Sequence, residues 1–243
     1  MNWTLFRPLF LTKIAANHLL IREINMSSTV AKLTPSSLAA LLCARICHDL
    51  ISPVGALGTA IEILDDETSD MHDDAMELVR NSSRQAGAKL RFLRLALGAG
   101  GSAPGIIALD EIKSLVEGMY AEGKAALHWD TSVDGIHKNS ARILLNLVML
   151  AVQAVPRGGD VKISIAEDNG ATQLKLDATG PKSRLDANIG KTLAGKSPED
   201  GFDGRTIQPF YTGMLAREMN SSIATSVNDE TVTFSANIPI ITA

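Results

Sequence analysis

His48 and Asp49 stand side by side in the run Ile46-Cys47-His48-Asp49-Leu50-Ile51-Ser52-Pro53. An imidazole beside a carboxylate suits nucleophilic chemistry. The carboxylate accepts the proton of one ring nitrogen and leaves the other with a free lone pair. Further along the chain lie Arg84, Lys89 and Arg91. Cations offset the charge of a transferring phosphoryl group, and such transfer depends mainly on charge and alignment. Cys43 and Cys47 are one helical turn apart beside His48, but no second ligand pair is near in sequence, so a metal site is not expected. His72, His128 and His137 stand alone and read as solvent-facing.

The elements that must position His48 read as a helical hairpin. Thr34-Pro35-Ser36-Ser37 has a hydroxyl cap with proline in the first turn, a helix start. Apolar residues then recur at Ala39, Cys43, Ile46, Leu50, Val54, Leu57, Ile61 and Leu64, a coiled-coil-like seam with a slip at Pro53. At about 100° per residue, His48 points away from that stripe. Proline removes one helical hydrogen bond, so the helix is expected to bend or loosen there. The acidic run 65–74 holds the turn, and a second seam follows at Met76, Val79, Ser83, Ala86, Leu90, Leu93 and Leu97. Its acids come first and its arginines and lysines later, which complements the helix dipole. A turn near residue 68 brings His48 level with residues 84–91. Two such seams cannot be buried by one hairpin but can be in a four-helix bundle of two copies. A homodimer is therefore expected, with a monomer whose second domain covers the seam as the alternative.

The rest of the chain excludes several classes. Of 243 residues, 23 are Lys or Arg and 27 are Asp or Glu, giving a net charge of −4. Nucleic-acid binding usually shows a basic surplus, so it is not expected. Two cysteines rule out a disulfide framework and suit a reducing, cytoplasmic setting. No apolar run reads as a membrane span, and no membrane partner is expected. Residues 1–29 lack a signal-peptide pattern and read as a disordered leader. The expected division is hairpin 30–99, a glycine-rich linker 100–106, and a second domain 107–243. In that domain helices are expected at 112–120, 140–155 and 210–219. Strands are expected at 161–167 and 173–177 around Asp168-Asn169-Gly170, and at 222–227 and 231–238. This is an α+β sandwich pattern.

His48-Asp49-Leu50-Ile51-Ser52-Pro53-Val54 resembles the phospho-acceptor box of sensor histidine kinases, H-[ED]-L-x-[TS]-P-[LVI], at every characteristic position. The second domain resembles the ATP-binding domain of the same superfamily, with its nucleotide machinery degraded. The box N-L-[LV]-x-N-A stands as Asn146-Leu147-Val148-Met149-Leu150-Ala151, so Leu150 replaces the magnesium ligand. The box D-x-G-x-G stands as Asp177-Ala178-Thr179-Gly180-Pro181, and Asp177 then reads as a plain surface or turn residue. Where the glycine-rich lid belongs, Ile207 to Met214 keeps Gly213 alone. ATP is therefore not expected to bind.

An intact acceptor helix beside a disabled kinase domain resembles the dimeric histidine phosphotransferases of alphaproteobacterial phosphorelays, over roughly residues 30–241. The resemblance implies that His48 accepts a phosphoryl group, with Asp49 assisting, from the receiver of a hybrid kinase of CckA type. It implies delivery to response regulators of CtrA and CpdR type in cell-cycle control, with Mg²⁺ supplied by the receiver. Small residues below His48 on its own side, namely Ser52, Gly55, Ala56 and Thr59, would admit a receiver helix, and Arg84, Ala88 and Arg91 would assist from the second helix. A divergent ATP-dependent kinase and a non-catalytic receiver-docking protein are the alternatives.

Overall fold

The structure, a computed structural model, describes residues 30–98 and 105–240. The expected leader and most of the expected linker lie outside the described residues. Helix α1 (Pro35–Asp65) and helix α2 (His72–Ala96) form the hairpin. Thr34 caps α1, its hydroxyl accepting from Ser37 N at 3.1 Å. The helix runs through Pro53 without ending.

After the hairpin come β1 (Ile106–Ala108), α3 (Leu109–Tyr120), β2 (Ala125–Thr131), β3 (Gly135–His137) and α4 (Lys138–Ala154). Then follow β4 (Gly159–Asp168), β5 (Ala171–Thr179), α5 (Ala187–Leu193), α6 (Ile207–Glu218), β6 (Ile223–Asn228) and β7 (Thr231–Pro239). The main sheet has the order β2-β4-β5-β7-β6, with β2 parallel to β4 and the other pairs antiparallel. Strands β1 and β3 make a small antiparallel pair. The β4–β5 turn falls at the expected place. Asn169 (φ 50°) and Gly170 (φ 73°) supply the two left-handed residues that a tight hairpin turn needs.

One face of the sheet packs on helices and the other is open. Along β5, Leu174, Leu176 and Ala178 are buried while Gln173 and Lys175 face solvent. Helix α4 is the centre of the core, with Ile143, Leu144, Leu147 and Leu150 fully buried. Phe92, Leu93, Leu95 and Ala96 at the end of α2 join that same core. The hairpin and the α/β layer are thus continuous.

This continuity gives the second helix a buried stripe of its own within one chain. The buried face of α2 runs through Ala75, Ser82, Ala88, Phe92 and Leu93, while Met76 and Leu90 are exposed. Helix α2 is contacted by α1 and also by α3 and α4, so its buried stripe turns toward those extra neighbours. Cys43, expected on the first seam, is exposed. The last helix begins at Ile207, three residues before the expected start, because Pro209 is tolerated in a first turn that needs no amide from it. Strands β1, β2 and β3 and helix α5 lie outside the elements expected from the sequence. One expectation about membranes also changes. Helix α1 spans 31 residues with a best-window mean hydropathy of 1.4, so by length and composition it is apolar enough to cross a bilayer.

Candidate functional site

His48 sits on the outer side of α1 with its side chain 75% exposed, and its Nδ1 lies 3.1 Å from Asp49 Oδ1. In the tautomer with the proton on Nδ1, that N–H donates to Asp49 and Nε2 keeps the lone pair, facing solvent. Asp49 is only 11% exposed. Its other oxygen, Oδ2, accepts from Arg45 Nε at 2.9 Å, one helical turn earlier. Arg45 thus turns the carboxylate so that Oδ1 meets the imidazole. Behind this group lies the half-buried Tyr120, edge-on to Phe92 with centroids 6.2 Å apart. Burial pushes the Tyr120 phenol far above its usual range; nearby Arg45 opposes this and Asp49 adds to it.

Pro53 has a direct role in this geometry. It lacks the N–H that would donate to the carbonyl four residues back, which is that of Asp49. Lys89 Nζ of α2 donates to Asp49 O instead, at 3.1 Å. The missing helical hydrogen bond leaves the Asp49 carbonyl free to hold a cation of α2 against α1. Lys89 is therefore the second-helix cation that reaches this place. Arg84 and Arg91 are about 140° and 160° round the helix from it. Arg84 donates to Asn81 on its own helix at 3.2 Å. Among the described residues, no hydrogen bond or ion pair joins Arg84 or Arg91 to His48 or Asp49.

The other expected docking residues divide. Ser52, Gly55 and Thr59 are exposed and Ala56 half-buried, forming a strip below His48. A Cβ added at Gly55 would meet nothing within 4 Å, so the strip is open. Ala88 is the exception. It is 6% exposed and lies opposite Gly118 of α3, where a Cβ on that glycine would stand 3.5 Å away. Buried between two helices, Ala88 presents no surface to a partner.

A groove of about 490 Å³ opens beside His48, between α1 and the α/β layer. Arg45 and His48 form one wall; Gln153, Arg184, Asp186, Asp203, Arg205 and Thr206 are among the residues of the other. The sequence reasoning missed this second wall, whose residues are far from His48 along the chain. Arg45 was also missed, although Arg and Asp four residues apart on a helix are a legible pair. Asp203 is held below the usual carboxylate range, first by the Thr206 hydroxyl, against burial, and then by the amides of Thr206 and Arg205.

The degraded nucleotide boxes have structural explanations. Leu150 is fully buried in the core. Asp177 faces the open side of the sheet, bonded to Lys175 Nζ at 2.7 Å and accepting from the Thr233 hydroxyl at 2.6 Å. Burial would raise its pKa, but these bonds hold it below the usual range. The stretch from Ile207 to Gly213 is not a lid but the buried first half of α6. Gly213 is required there because a Cβ would fall 2.0 Å from Leu193 O. Among the described residues, no group of three or more His, Cys, Asp or Glu is placed to hold a metal ion.

Comparison with known proteins agrees with this arrangement. Residues 109–231 match the family model of the histidine phosphotransferase C-terminal domain. The chain is 33% identical over 204 residues to the protein phosphotransferase ChpT of Brucella abortus (strain 2308), covering 84% of this chain and 97% of that one. A solved structure of a bacterial phosphotransferase superposes with a TM-score of 0.76 at 31% identity, over 86% of this chain and all of the other. The chain belongs to the histidine phosphotransferase family, and its activity is phosphoryl transfer through histidine in a phosphorelay.

Proposed function

We propose that His48 is the phospho-acceptor and that Asp49 orients it. Nε2 attacks the phosphorus of a receiver phospho-aspartate in line. The N–P bond forms, the acyl P–O bond breaks, and the receiver carboxylate departs with its electron pair. The same steps in reverse deliver the group to a second receiver aspartate. Lys89 and Arg45 offset developing charge, and the Mg²⁺ that phosphoryl transfer needs arrives with the receiver. The observation that carries this reading is the His48–Asp49–Arg45 chain of contacts, with the imidazole exposed and its orienting carboxylate fixed.

The receiver docks along Ser52, Gly55, Ala56 and Thr59, with Arg84 and Arg91 available to its periphery. Arg184 and Arg205 face it from across the groove. Two chains pair through their hairpins, which leave Ile51, Val54, Ile61, Met76 and Leu90 exposed. Exposed apolar side chains on both helices suit burial against a second copy. By resemblance, the donor is a hybrid-kinase receiver of CckA type and the acceptors are regulators of CtrA and CpdR type, in the cytoplasm.

The test uses radiolabel. The protein and a His48→Ala variant are incubated with labelled ATP alone and with a pre-labelled receiver. Label is expected only from the receiver and only on the protein that has His48. Label from ATP alone, or on the alanine variant, would overturn the reading.

A further inference from the structure

The last carbonyls of a helix have no partner within it. At the end of α2 two of them are taken by side chains from the α/β layer. Asn146 Nδ2 of α4 donates to Ala96 O at 2.8 Å, and Tyr211 Oη of α6 donates to Leu97 O at 3.0 Å. Asn146 is completely buried. Its Nδ2 also donates to Arg142 O at 2.8 Å, and its backbone carbonyl accepts from Gln208 Nε2 at 3.0 Å. Arg142 in turn donates to Tyr211 Oη. Its guanidinium lies over Gly98 (φ 82°), where a Cβ would come within 2.5 Å of it. Side chains of α4 and α6 thus grip the point where the chain leaves the hairpin.

We propose that Asn146, Gln208 and Tyr211 are positioning residues that hold the α/β layer at one fixed angle to the hairpin. The groove beside His48 is then formed before a receiver arrives. This rests on His48 being the acceptor and on that groove being the docking surface. Other ties are Arg45 Nη1 to Gly204 O at a long 3.3 Å across the groove, the solvent-exposed bond from Gln85 Nε2 to Glu122 at 3.2 Å, and Ala31 N to Gly195 O at 2.8 Å ahead of α1; none of them lies where the chain leaves the hairpin. The latch sits where the chain leaves the hairpin, and a rotation about that point would carry Arg184 and Arg205 away from α1. Pre-formed surfaces bind better because less ordering is left to do on association.

The test compares the full-length protein with Tyr211→Phe, which removes only the hydroxyl, and with Gln208→Leu. Two phosphoryl donors are used: a labelled phospho-receiver over a range of concentrations, and phosphoramidate, which reaches an exposed imidazole without docking. In both variants the receiver concentration for half-maximal transfer is expected to rise about tenfold, as the docking-competent fraction falls. Phosphoramidate labelling of His48, read by peptide mass spectrometry, should stay within about twofold, because His48 itself is untouched. Unchanged receiver dependence in both variants would overturn the latch. So would a parallel fall in phosphoramidate labelling, which marks residues that merely hold the fold. A His48→Ala protein run alongside should take no label from the phospho-receiver, which is the donor that must dock. Label there would sink the acceptor assignment, and the latch's role with it, by a separately readable result.

Discussion

At the residue scale, the site separates two tasks that both fall near one imidazole. Asp49 spends one carboxylate oxygen on His48 and the other on Arg45, so orientation and charge are handled by different atoms. Its backbone carbonyl takes a third partner, Lys89. Asp49→Ala removes the acceptor for Nδ1 and lets the ring turn. Transfer from a saturating phospho-receiver is expected to slow by about 10- to 100-fold, read by quenched-flow labelling. Lys89→Met deletes the cation and leaves the Asp49 carbonyl unfilled. Its expected cost is of the same order, roughly 10- to 100-fold. Arg91→Met, on the other side of α2, should change the saturated rate by less than about twofold.

At the element scale, Pro53 exchanges helix stability for placement. A proline in a helix interior is disfavoured by about 3 kcal/mol relative to alanine. The benefit here is a vacant carbonyl facing α2. Pro53→Ala restores an amide that competes with Lys89 for Asp49 O. The variant is expected to melt at a higher temperature than the parent while transferring phosphoryl roughly tenfold more slowly. Thermal denaturation and single-turnover transfer check the two halves separately. A variant that melts higher and transfers at the parent rate would show that Lys89 needs no such anchor.

At the scale of the whole molecule, the hairpin shares one core with the α/β layer, yet α1 and α2 keep apolar side chains in solvent. Val54 is 55% exposed and Ile61 is 52% exposed. Pairing through this face would cover four such side chains, two from each copy, at about 1.5 kcal/mol each. Val54→Asp with Ile61→Asp should therefore weaken the dimer by more than about a hundredfold, leaving folded monomer in sedimentation at micromolar concentration. His48 lies on a different side of α1, so phosphoramidate labelling of that monomer should persist. A dimer undisturbed by both aspartates would place the interface elsewhere.

The His48–Asp49 pair on its helix, the hairpin around it and the hairpin at Asn169-Gly170 were legible in the sequence because each is set by local rules. Helical spacing, capping, proline chemistry and turn residues act over a few positions. Leu150 and Pro181 were also legible as departures from a nucleotide site, since each is a single replaced residue in a short box. The side chains brought to Asp49 and to the groove from beyond their own helix turn were not legible. Lys89 was one of three cations within reach by spacing, and only the shared core, by fixing the rotation of α2, decided between it, Arg84 and Arg91. The same rotation buried Ala88 against Gly118 and removed it from the docking face. Arg184 and Arg205 reach the groove because the sheet and α6 carry them across the fold, a placement that depends on long-range packing and not on spacing along the chain.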